Sequence, residues 1–362
     1  MRSFRCLSRF KDIDLFRRTI QNLASGCRWT FLGLVLQCLI VHDANAQILW
    51  RGVNTAGAEF AADRLPGRAN FDYHYPSVDE LADAVSAGSN VIRLPFLWER
   101  LQPVLGEPFD EVESKNLEAA VRSARAMKLA VVLDPHNFGA FKGKPIGSDD
   151  VPAAMFVEFW LRLVRLFPKD DGIILGLMNE PNKQSARDWA AIAQEAVLAI
   201  RATGSTQWIL APGSYWSGAH SWTAIIAGSS NADAFKNFVD PLNRTIFEMH
   251  QYFDSDSSGT HRNCVSPDVG VERLKRAEAW LKAVNQRGFL GEFGASTDPV
   301  CLEALRRLLH EVENNSVWIG WTYWAASAWF GDYMFNSFPT EKRQQGLILK
   351  EFMVSKYRPN EP

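Results

Sequence analysis

Short, largely apolar runs recur eight times along this chain, and the segments between them have the apolar spacing of helices. Such runs are typical of strands that are buried on both faces of a sheet. Strands that alternate with helices favour a parallel sheet covered by helices, which is the α/β class. The eight predicted strands are Ile48–Val53, Asn90–Leu94, Leu129–Asp134, Ile173–Met178, Trp208–Ala211, Thr245–Met249, Phe289–Gly291 and Trp318–Tyr323.

The predicted helices lie between these runs, and the first has the clearest start. Ser77 and Glu80 form a capping box at the beginning of the candidate helix Ser77–Ala87. The segment after the fifth run offers only two short candidates, Ser221–Ile226 and Ala232–Phe238. The other candidates are Glu111–Lys128, Pro152–Phe167, Ser185–Thr203, Val271–Gln286 and Pro299–Glu313.

Eight strand–helix units without an interruption predict a (β/α)8 TIM barrel. Residues 47–362 contain no Pro/Ser linker, low-complexity run or obvious repeat, so these 316 residues are expected to form a single domain. A barrel of this kind typically takes ~250 residues plus insertions. The alternative is an open, doubly wound sheet, whose first turn often carries G-x-G-x-x-G. No such sequence follows the first run here.

Residues 1–46 have the composition of a secretory leader. A basic segment precedes the 13 apolar-rich residues 29–41, and Ala44-Asn45-Ala46 supplies the small residues of a cleavage site. A bilayer span needs ~20 apolar residues, so this stretch is short for one. The alternative is an uncleaved anchor or a membrane-surface helix. We therefore expect a signal peptide over residues 1–46 and a secreted or periplasmic protein that is free of the membrane after cleavage.

Loss of this leader changes the charge and the cysteine count. The chain has 39 basic and 41 acidic residues, and residues 47–362 keep 32 and 38 of them, a formal charge of −6. That balance lacks the basic footprint of a nucleic-acid binder. Cys264 and Cys301 are the two cysteines that remain. Two cysteines in an exported protein suggest a disulfide, with two unpaired thiols as the alternative.

Polar side chains arrive where the apolar runs stop, and a barrel enzyme builds its active site from residues at these strand ends. In the sixth strand the period of two puts Glu248, His250 and Tyr252 on one face. Glu248 lies deeper in its strand than the other carboxylates, so we interpret it as structural, with Arg93 or Arg51 as its partner. The polar strand ends include Arg93, Asp134, His136, Asn179, Glu180, His250, Tyr252, Glu292 and Trp324.

Two of these side chains, Glu180 and Glu292, stand three strands apart and so roughly across the mouth of the predicted barrel. Glycoside hydrolysis needs such a pair, one acid for the leaving oxygen and one ionised carboxylate on the other face of the sugar. Chance is the alternative, because residues 47–362 hold 38 carboxylates and a lone Asn-Glu-Pro is a weak motif. Spacing in sequence does not supply the distance that separates a retaining from an inverting mechanism.

Six short motifs occur in order along the predicted strands: Ile92–Phe96, Asp134–His136, Asn179–Pro181, His250–Tyr252, Gly291–Gly294 and the segment around Trp324. Together they resemble glycoside hydrolase family five, a large group of retaining barrel glycosidases. Three further stretches, Arg51–Asn54, Gly213–His220 and Tyr252–His261, are similar to its fungal-type endoglucanase branch. The resemblance covers essentially all of residues 47–362.

This resemblance implies an endo-β-1,4-glucanase that cleaves internal bonds of β-glucan by double displacement, without a cofactor or a metal. It makes Glu292 the nucleophile and Glu180 the general acid/base. Arg93 and Tyr252 would hydrogen-bond Glu292 and hold it ionised, and His250 would lie beside Glu180. The resemblance also pairs the two cysteines of residues 47–362 in a disulfide, Cys264–Cys301.

The same resemblance implies a set of contacts with the sugar. Asn179 would bind the 2-OH, a contact that strengthens toward the transition state. His136 would bind hydroxyls of the same sugar, and Trp324 would form the apolar floor beneath its ring. Candidates for neighbouring subsites are Trp98, Trp216, Trp222 and Trp329, with a position partly in the core as the alternative for each.

Three alternatives stand beside this interpretation. The same catalytic set could act on mannan, xyloglucan or β-1,3-glucan, although the endoglucanase-like stretches favour β-1,4-glucan. A non-catalytic carbohydrate-binding barrel is disfavoured because the acid, the nucleophile and Arg93 are all present. A metal or phosphate enzyme is disfavoured because the sequence lacks H-x-H, H-E-x-x-H, C-x-x-C and a full P-loop. We expect a monomer whose partner is a β-glucan polysaccharide, with no nucleic acid.

Overall fold

Eight parallel strands pair in one closed ring over residues 48–354, the residues that the computed structural model describes. They are β1 (Trp50–Asn54), β2 (Val91–Phe96), β3 (Ala130–Pro135), β4 (Ile173–Gly176), β5 (Ile209–Pro212), β6 (Thr245–His250), β7 (Gly288–Glu292) and β8 (Trp318–Tyr323). Strand β1 pairs with β2 on one side and with β8 on the other, so the sheet has no free edge. The predicted α/β class and single-domain (β/α)8 barrel are confirmed.

Helices connect successive strands and cover the outside of the ring. The capping box predicted at Ser77 and Glu80 is present, with each side chain bonded to the other residue's backbone N–H. A two-stranded hairpin, Ala140–Phe141 with Lys144–Pro145, follows β3. The helices are α1 (Val78–Ser86), α2 (Trp98–Leu101), α3 (Glu111–Ala126), α4 (Ala153–Leu166), α5 (Ala186–Ala202), α6 (Asn231–Phe235), α7 (Val269–Ala283), α8 (Pro299–Asn314) and α9 (Gln344–Val354).

The connection between β5 and β6 differs from the prediction. Ser221–Ile226 is a series of turns rather than a helix, and it ends at a bridge between Ile226 and Ser229. A segment this short cannot repay helix nucleation by itself, and its fully buried Trp222 is fixed instead by packing. Helix α6 is confined to five residues, and the sequence did not predict α2 or α9.

The barrel interior has two layers of opposite character. An apolar cluster fills its lower half, which we define by Val91, Ala130, Val132, Ile174, Leu210, Ile246, Phe289 and Ile319. Because strand side chains alternate, residues two positions further along three of these strands point the same way. These residues are Arg93, Asp134 and Glu248, and all are buried. They form the base of the upper half, directly above the apolar layer.

An irregularity in β7 separates Gly291 from the regular pairing. Met249 pairs with Leu290 and His250 pairs with Glu292, so Gly291 is skipped. The Gly291 carbonyl accepts hydrogen bonds from Asn54 Nδ2 at 2.9 Å and from Thr322 Oγ1 at 2.7 Å. A bulge re-aims the side chain that follows it, and here that side chain is Glu292.

A disulfide joins Cys264, in the loop between β6 and α7, to Cys301 in α8. This is the pairing that the family resemblance implied. The predicted signal peptide over residues 1–46 lies outside the described residues, so it and the boundary at residue 47 stay predictions. Between residues 48 and 354, no helix combines the length and apolarity that crossing a membrane requires.

Candidate active site

Glu292 lies at the end of β7, buried and held by two donors. Arg93 Nη1 donates to its Oε1 at 2.9 Å, and Tyr252 Oη donates to its Oε2 at 2.8 Å. Charge-assisted hydrogen bonds of this kind are short and directional, so they fix the orientation of the carboxylate. Burial next to the negative Glu292 raises the pKa of Tyr252, so the phenol stays a donor. The predicted contacts of Arg93 and Tyr252 with Glu292 are present.

Arg93 is the centre of the upper layer. Its Nη1 contacts Asp134 Oδ2 at 2.9 Å and donates to Asn54 Oδ1 at 2.9 Å, while its Nη2 donates to Asn179 Oδ1 at 2.9 Å. Its Nε lies 2.9 Å from Glu248 Oε1. Glu248 therefore pairs with Arg93, one of its two predicted partners. The other candidate, Arg51, pairs with Glu313 instead.

Glu180 follows β4 in a left-handed backbone conformation, with φ of 43°. A non-glycine residue in this region carries backbone strain, which concentrates at functional sites. Its Oε1 lies 2.7 Å from His250 Nδ1, the predicted neighbour. Burial and the nearby charge of Glu292 raise the pKa of Glu180, against the opposing hydrogen bond from His250. Glu180 thus keeps its proton at a higher pH than an ordinary glutamate.

His250 competes with Glu180 for that proton. Burial lowers the pKa of His250, but the charge of Glu292 and the hydrogen bonds to Glu180 and Glu248 outweigh it and raise this pKa to about 10. The proton between Glu180 and His250 is therefore retained at pH values where an isolated glutamate would have lost it.

The two carboxylates approach each other closely across the site. One oxygen of Glu180 and one of Glu292 lie within 4.8 Å of each other, and they lie 2.7 Å and 3.6 Å from His250 Nδ1. Retaining glycosidases hold their two carboxyl groups about 5–5.5 Å apart, whereas inverting enzymes leave about 6.5–9.5 Å for a water molecule. The separation in this barrel matches the retaining arrangement.

His136, Asn179 and Trp324 form a second side of the site. His136 Nδ1 is 2.8 Å from Asp134 Oδ2, and Asn179 Nδ2 donates to His136 Nε2 at 3.0 Å. The His136 ring stacks on Trp324 with 5.4 Å between ring centroids. Burial lowers the pKa of His136, but the charge and the hydrogen bond of Asp134 outweigh this effect, so the pKa is raised. These predicted residues therefore meet in one place beside Glu292.

A cavity of about 500 Å³ extends from Glu180 and His250 toward the loops after β5 and β6. Trp216 lines it and leaves 55% of its surface exposed. Trp329 lies after β8, is 39% exposed, and stacks on His74 with ring centroids 4.4 Å apart. The predictions for Trp98 and Trp222 are wrong, because both side chains are fully buried in the core. Their position in sequence near the strand ends did not reveal that they point outward, toward the helices.

Three residues near the site were missed or left without a role by the sequence analysis. Asn54 directly follows the first predicted strand and Asp134 ends the third, so the strand-end signal was present although the resemblance assigned these two residues no role. Glu59 lies in a loop and gave no signal. Burial raises the pKa of Glu59 to about 7, against the nearby His136. Its Oε2 accepts from the Gly57 backbone N–H at 2.7 Å.

Two clusters among the described residues bring metal-ligating atoms together by distance, Glu180 with His250 and Glu292, and Asp254 with Asp256 and His261. In the first, both oxygens of Glu292 already accept hydrogen bonds, and the Arg93 cation lies at 2.9 Å. A second cation there would be repelled by this guanidinium. The residues therefore fit proton transfer better than metal binding.

A (β/α)8 barrel whose strand ends hold two glutamates with oxygens within 4.8 Å of each other, one bonded to Arg93 and Tyr252 and the other to His250, has the site of a glycoside hydrolase. Comparison with known proteins agrees. The family model described as cellulase, glycosyl hydrolase family 5, matches residues 43–328. The chain belongs to glycoside hydrolase family 5 and is a glycoside hydrolase.

Several relatives are similar over most of their length. Endo-beta-1,4-glucanase A of Emericella nidulans is 38% identical over 316 residues, which are 86% of this chain and 93% of that protein. The endo-beta-1,4-glucanase Xac0029 of Xanthomonas axonopodis pv. citri is 45% identical with a TM-score of 0.82, over 84% of this chain and 98% of that one. The structure of XacCel5A in complex with cellopentaose is 44% identical with a TM-score of 0.82, over 84% and 99% of the two chains.

Proposed function

We propose that this protein is an endo-β-1,4-glucanase that hydrolyses internal bonds of β-glucan with retention of configuration. The observation that carries the mechanism is the approach of an oxygen of Glu180 to an oxygen of Glu292 within 4.8 Å, because such proximity favours the close carboxyl pair of a retaining enzyme over the wider pair of an inverting one. The substrate follows from the relatives, which include named endo-β-1,4-glucanases and a structure with bound cellopentaose.

In the first step, Glu292 attacks the anomeric carbon while Glu180 donates its proton to the glycosidic oxygen. The bond to the leaving sugar breaks, and an ester forms between Glu292 and the remaining sugar. Arg93 and Tyr252 hold the Glu292 carboxylate in a fixed direction before the attack. Their donors remain close to the ester oxygens as the negative charge disappears.

In the second step, Glu180 accepts a proton from a water molecule, and the resulting hydroxide attacks the anomeric carbon. The ester to Glu292 breaks, Glu180 regains its proton, and the sum of both steps is hydrolysis of one bond by one water. His250, 2.7 Å from Glu180, stabilises the ionised acid/base between the two steps.

The sugar at the cleavage point is bound by residues beside Glu292. Asn179 hydrogen-bonds its 2-OH, His136 hydrogen-bonds the neighbouring hydroxyls, and Trp324 supplies a flat apolar face for the ring. The stacking of His136 on Trp324 supports a common surface for one sugar ring. Trp216 and Trp329, the exposed pair of the four tryptophan candidates, extend the binding surface to either side.

We also propose that residues 1–46 are a cleaved signal peptide and that the mature enzyme is a secreted or periplasmic monomer. The basic and apolar pattern before Ala46 supports cleavage. The disulfide Cys264–Cys301 supports an oxidising compartment.

The experiment that tests the proposal measures reducing sugar released from soluble β-1,4-glucan, mannan, xyloglucan and β-1,3-glucan, with Glu292→Gln as the matched blank. We expect β-1,4-glucan to be the best substrate, with a rapid fall in viscosity because internal bonds are cut. Preference for another polymer would contradict the substrate, and slow viscosity loss with steady sugar release would contradict the internal mode of cleavage.

A further inference from the structure

Glu248 is a buried carboxylate on β6 that lies below the two proposed catalytic glutamates. Its Oε1 is 2.9 Å from Arg93 Nε and 3.4 Å from His250 Nε2. The contact with Arg93 is an ion pair without hydrogen-bond alignment, since the Nε proton has no accepting partner among the described residues. One oxygen of one side chain therefore contacts both the group that holds Glu292 and the group that holds Glu180.

The backbone makes room for this carboxylate at a specific place. A Cβ at Gly291 would lie 2.2 Å from Glu248 Oε1, far inside contact distance. Gly291 is also the residue that the strand pairing skips, immediately before Glu292. Gly291 therefore has two roles: it forms the bulge that directs Glu292 upward, and it leaves the space that Glu248 occupies.

We propose that Glu248 is a positioning residue that holds the His250 ring through Nε2 and the Arg93 guanidinium through Nε, and so aligns the acid/base and the nucleophile with one carboxylate. The inference rests on the roles proposed above for Glu180 and Glu292. A carboxylate behind an imidazole fixes which nitrogen carries a proton and stabilises the imidazolium.

The surroundings of His250 define what this carboxylate contributes. The charged groups near its ring come from three elements, Glu180 after β4, Glu248 on β6 and Glu292 on β7. Arg93 and Tyr252 act on the ring through Glu292, and His220 lines the same cavity. Of the three carboxylates, Glu248 is the one placed at Nε2, which leaves Nδ1 for Glu180.

The test is an NMR titration of His250 in the full-length protein with ¹⁵N-labelled histidine, with the signal identified by its absence from His250→Asn. In the wild-type protein we expect the His250 signal to titrate at a higher pH than a free histidine, because three carboxylates surround its ring. In Glu248→Gln one negative charge and one acceptor are lost, so the midpoint should fall by about one pH unit or more, a tenfold weaker proton affinity.

Glu278→Gln is the matched control. Glu278 is also a buried carboxylate, but it accepts from Trp318 Nε1 at 2.9 Å at the start of β8, away from the site. This variant should leave the His250 midpoint unchanged. Glu248→Asp keeps the negative charge but moves it one methylene away from His250, so the His250 midpoint should fall less. This variant replaces Glu248→Gln if Glu248→Gln does not fold.

A His250 midpoint that is the same in the folded Glu248 variants and in the wild type overturns the proposal. The titration needs no turnover, so it is independent of whether β-1,4-glucan is the substrate. A kinetic readout gives a second check with aryl β-cellobiosides. Glu248→Gln should slow poor leaving groups more than good ones, because only the former need a well-placed acid. An equal loss on both would overturn the alignment of Glu180 through His250, because an effect on Glu292 through Arg93 slows both classes alike.

Discussion

The lower and upper halves of the barrel interior are built on the same strands, but the lower half is apolar and the upper half is charged. In β2, Val91 belongs to the apolar layer and Arg93, two residues on, is the centre of the site. In β7, Phe289 lies in the apolar layer and Glu292 faces the cavity side. The apolar half gains free energy from burial, whereas the charged half loses solvation that its ion pairs only partly return.

The apolar lower half therefore stabilises the protein, and the charged upper half performs the reaction. The burial of Arg93 among Asp134, Glu248 and Glu292 contributes little net free energy to folding, because the ion pairs only partly offset the loss of solvation. It does hold donors and acceptors in fixed directions before a sugar arrives, which lowers the cost of reorganisation during the reaction. Substitutions in the two halves should therefore change different measurements.

The largest effect is expected for Glu292→Gln in the upper half. The amide keeps the shape of the side chain but cannot form the glycosyl ester, so kcat should fall on the order of 10⁴-fold or more. The unfolding midpoint should stay close to that of the wild type. Sugar-release kinetics together with thermal unfolding check this. Near-wild-type turnover would contradict the nucleophile assignment.

The complementary change is Phe289→Ala, three residues earlier on the same strand. Phe289 is fully buried in the apolar layer, and removing a buried ring of this kind costs about 3–5 kcal/mol in the free energy of unfolding. At temperatures where the variant is folded, its kcat should match the wild type. A large loss of kcat in the folded variant would mean that the two halves are not separable.

Glu180→Ala should have the next largest effect on the polysaccharide, about a hundredfold or more in kcat. Substrates with good leaving groups need no acid, so their first step should survive, and azide should rescue the second step. The raised pKa of Glu180 predicts the sign of the pH dependence. Activity needs its protonated form and declines as pH rises through that pKa, a decline that should vanish in Glu180→Ala on activated substrates. Lack of azide rescue would contradict the acid/base role.

The smallest effect is expected at the edge of the site, for Trp216→Ala. Loss of one exposed aromatic face should weaken sugar binding by roughly tenfold in kcat/KM, about 1.4 kcal/mol, with little change in stability. Val239→Ala is a control, because it also removes an exposed apolar side chain but in a segment that does not line the cavity beside Glu180. Equal kinetics for both variants would remove Trp216 from the binding surface.

Most of this architecture could be predicted from the sequence, because alternating apolar runs and helical spacing report burial directly. Each of the eight predicted strands is present, and Arg93, Tyr252 and His250 make their predicted contacts. Whether a given tryptophan is buried or exposed was harder to predict. Trp98 and Trp216 both follow strands, yet one is in the core and the other is exposed, since a loop's direction is set by tertiary packing.

Other features depend on contacts that sequence spacing does not encode. The skipped pairing at Gly291 brings Glu248 under the site, and it arises from how β6 and β7 align. Glu59 interacts with His136 although 77 positions in the sequence separate the two residues. The distance between Glu180 and Glu292 is likewise a product of the closed ring, although their identity could be inferred from the strand ends.

The most direct test of the account is the configuration of the first product, followed by ¹H NMR during hydrolysis of a cello-oligosaccharide. Oxygens of Glu180 and Glu292 within 4.8 Å of each other favour two displacements at the anomeric carbon over one. We therefore predict that the β-anomer appears first and that the α-anomer accumulates only by later mutarotation. An α-anomer as the first product would contradict the account, because it would mean a single displacement by water.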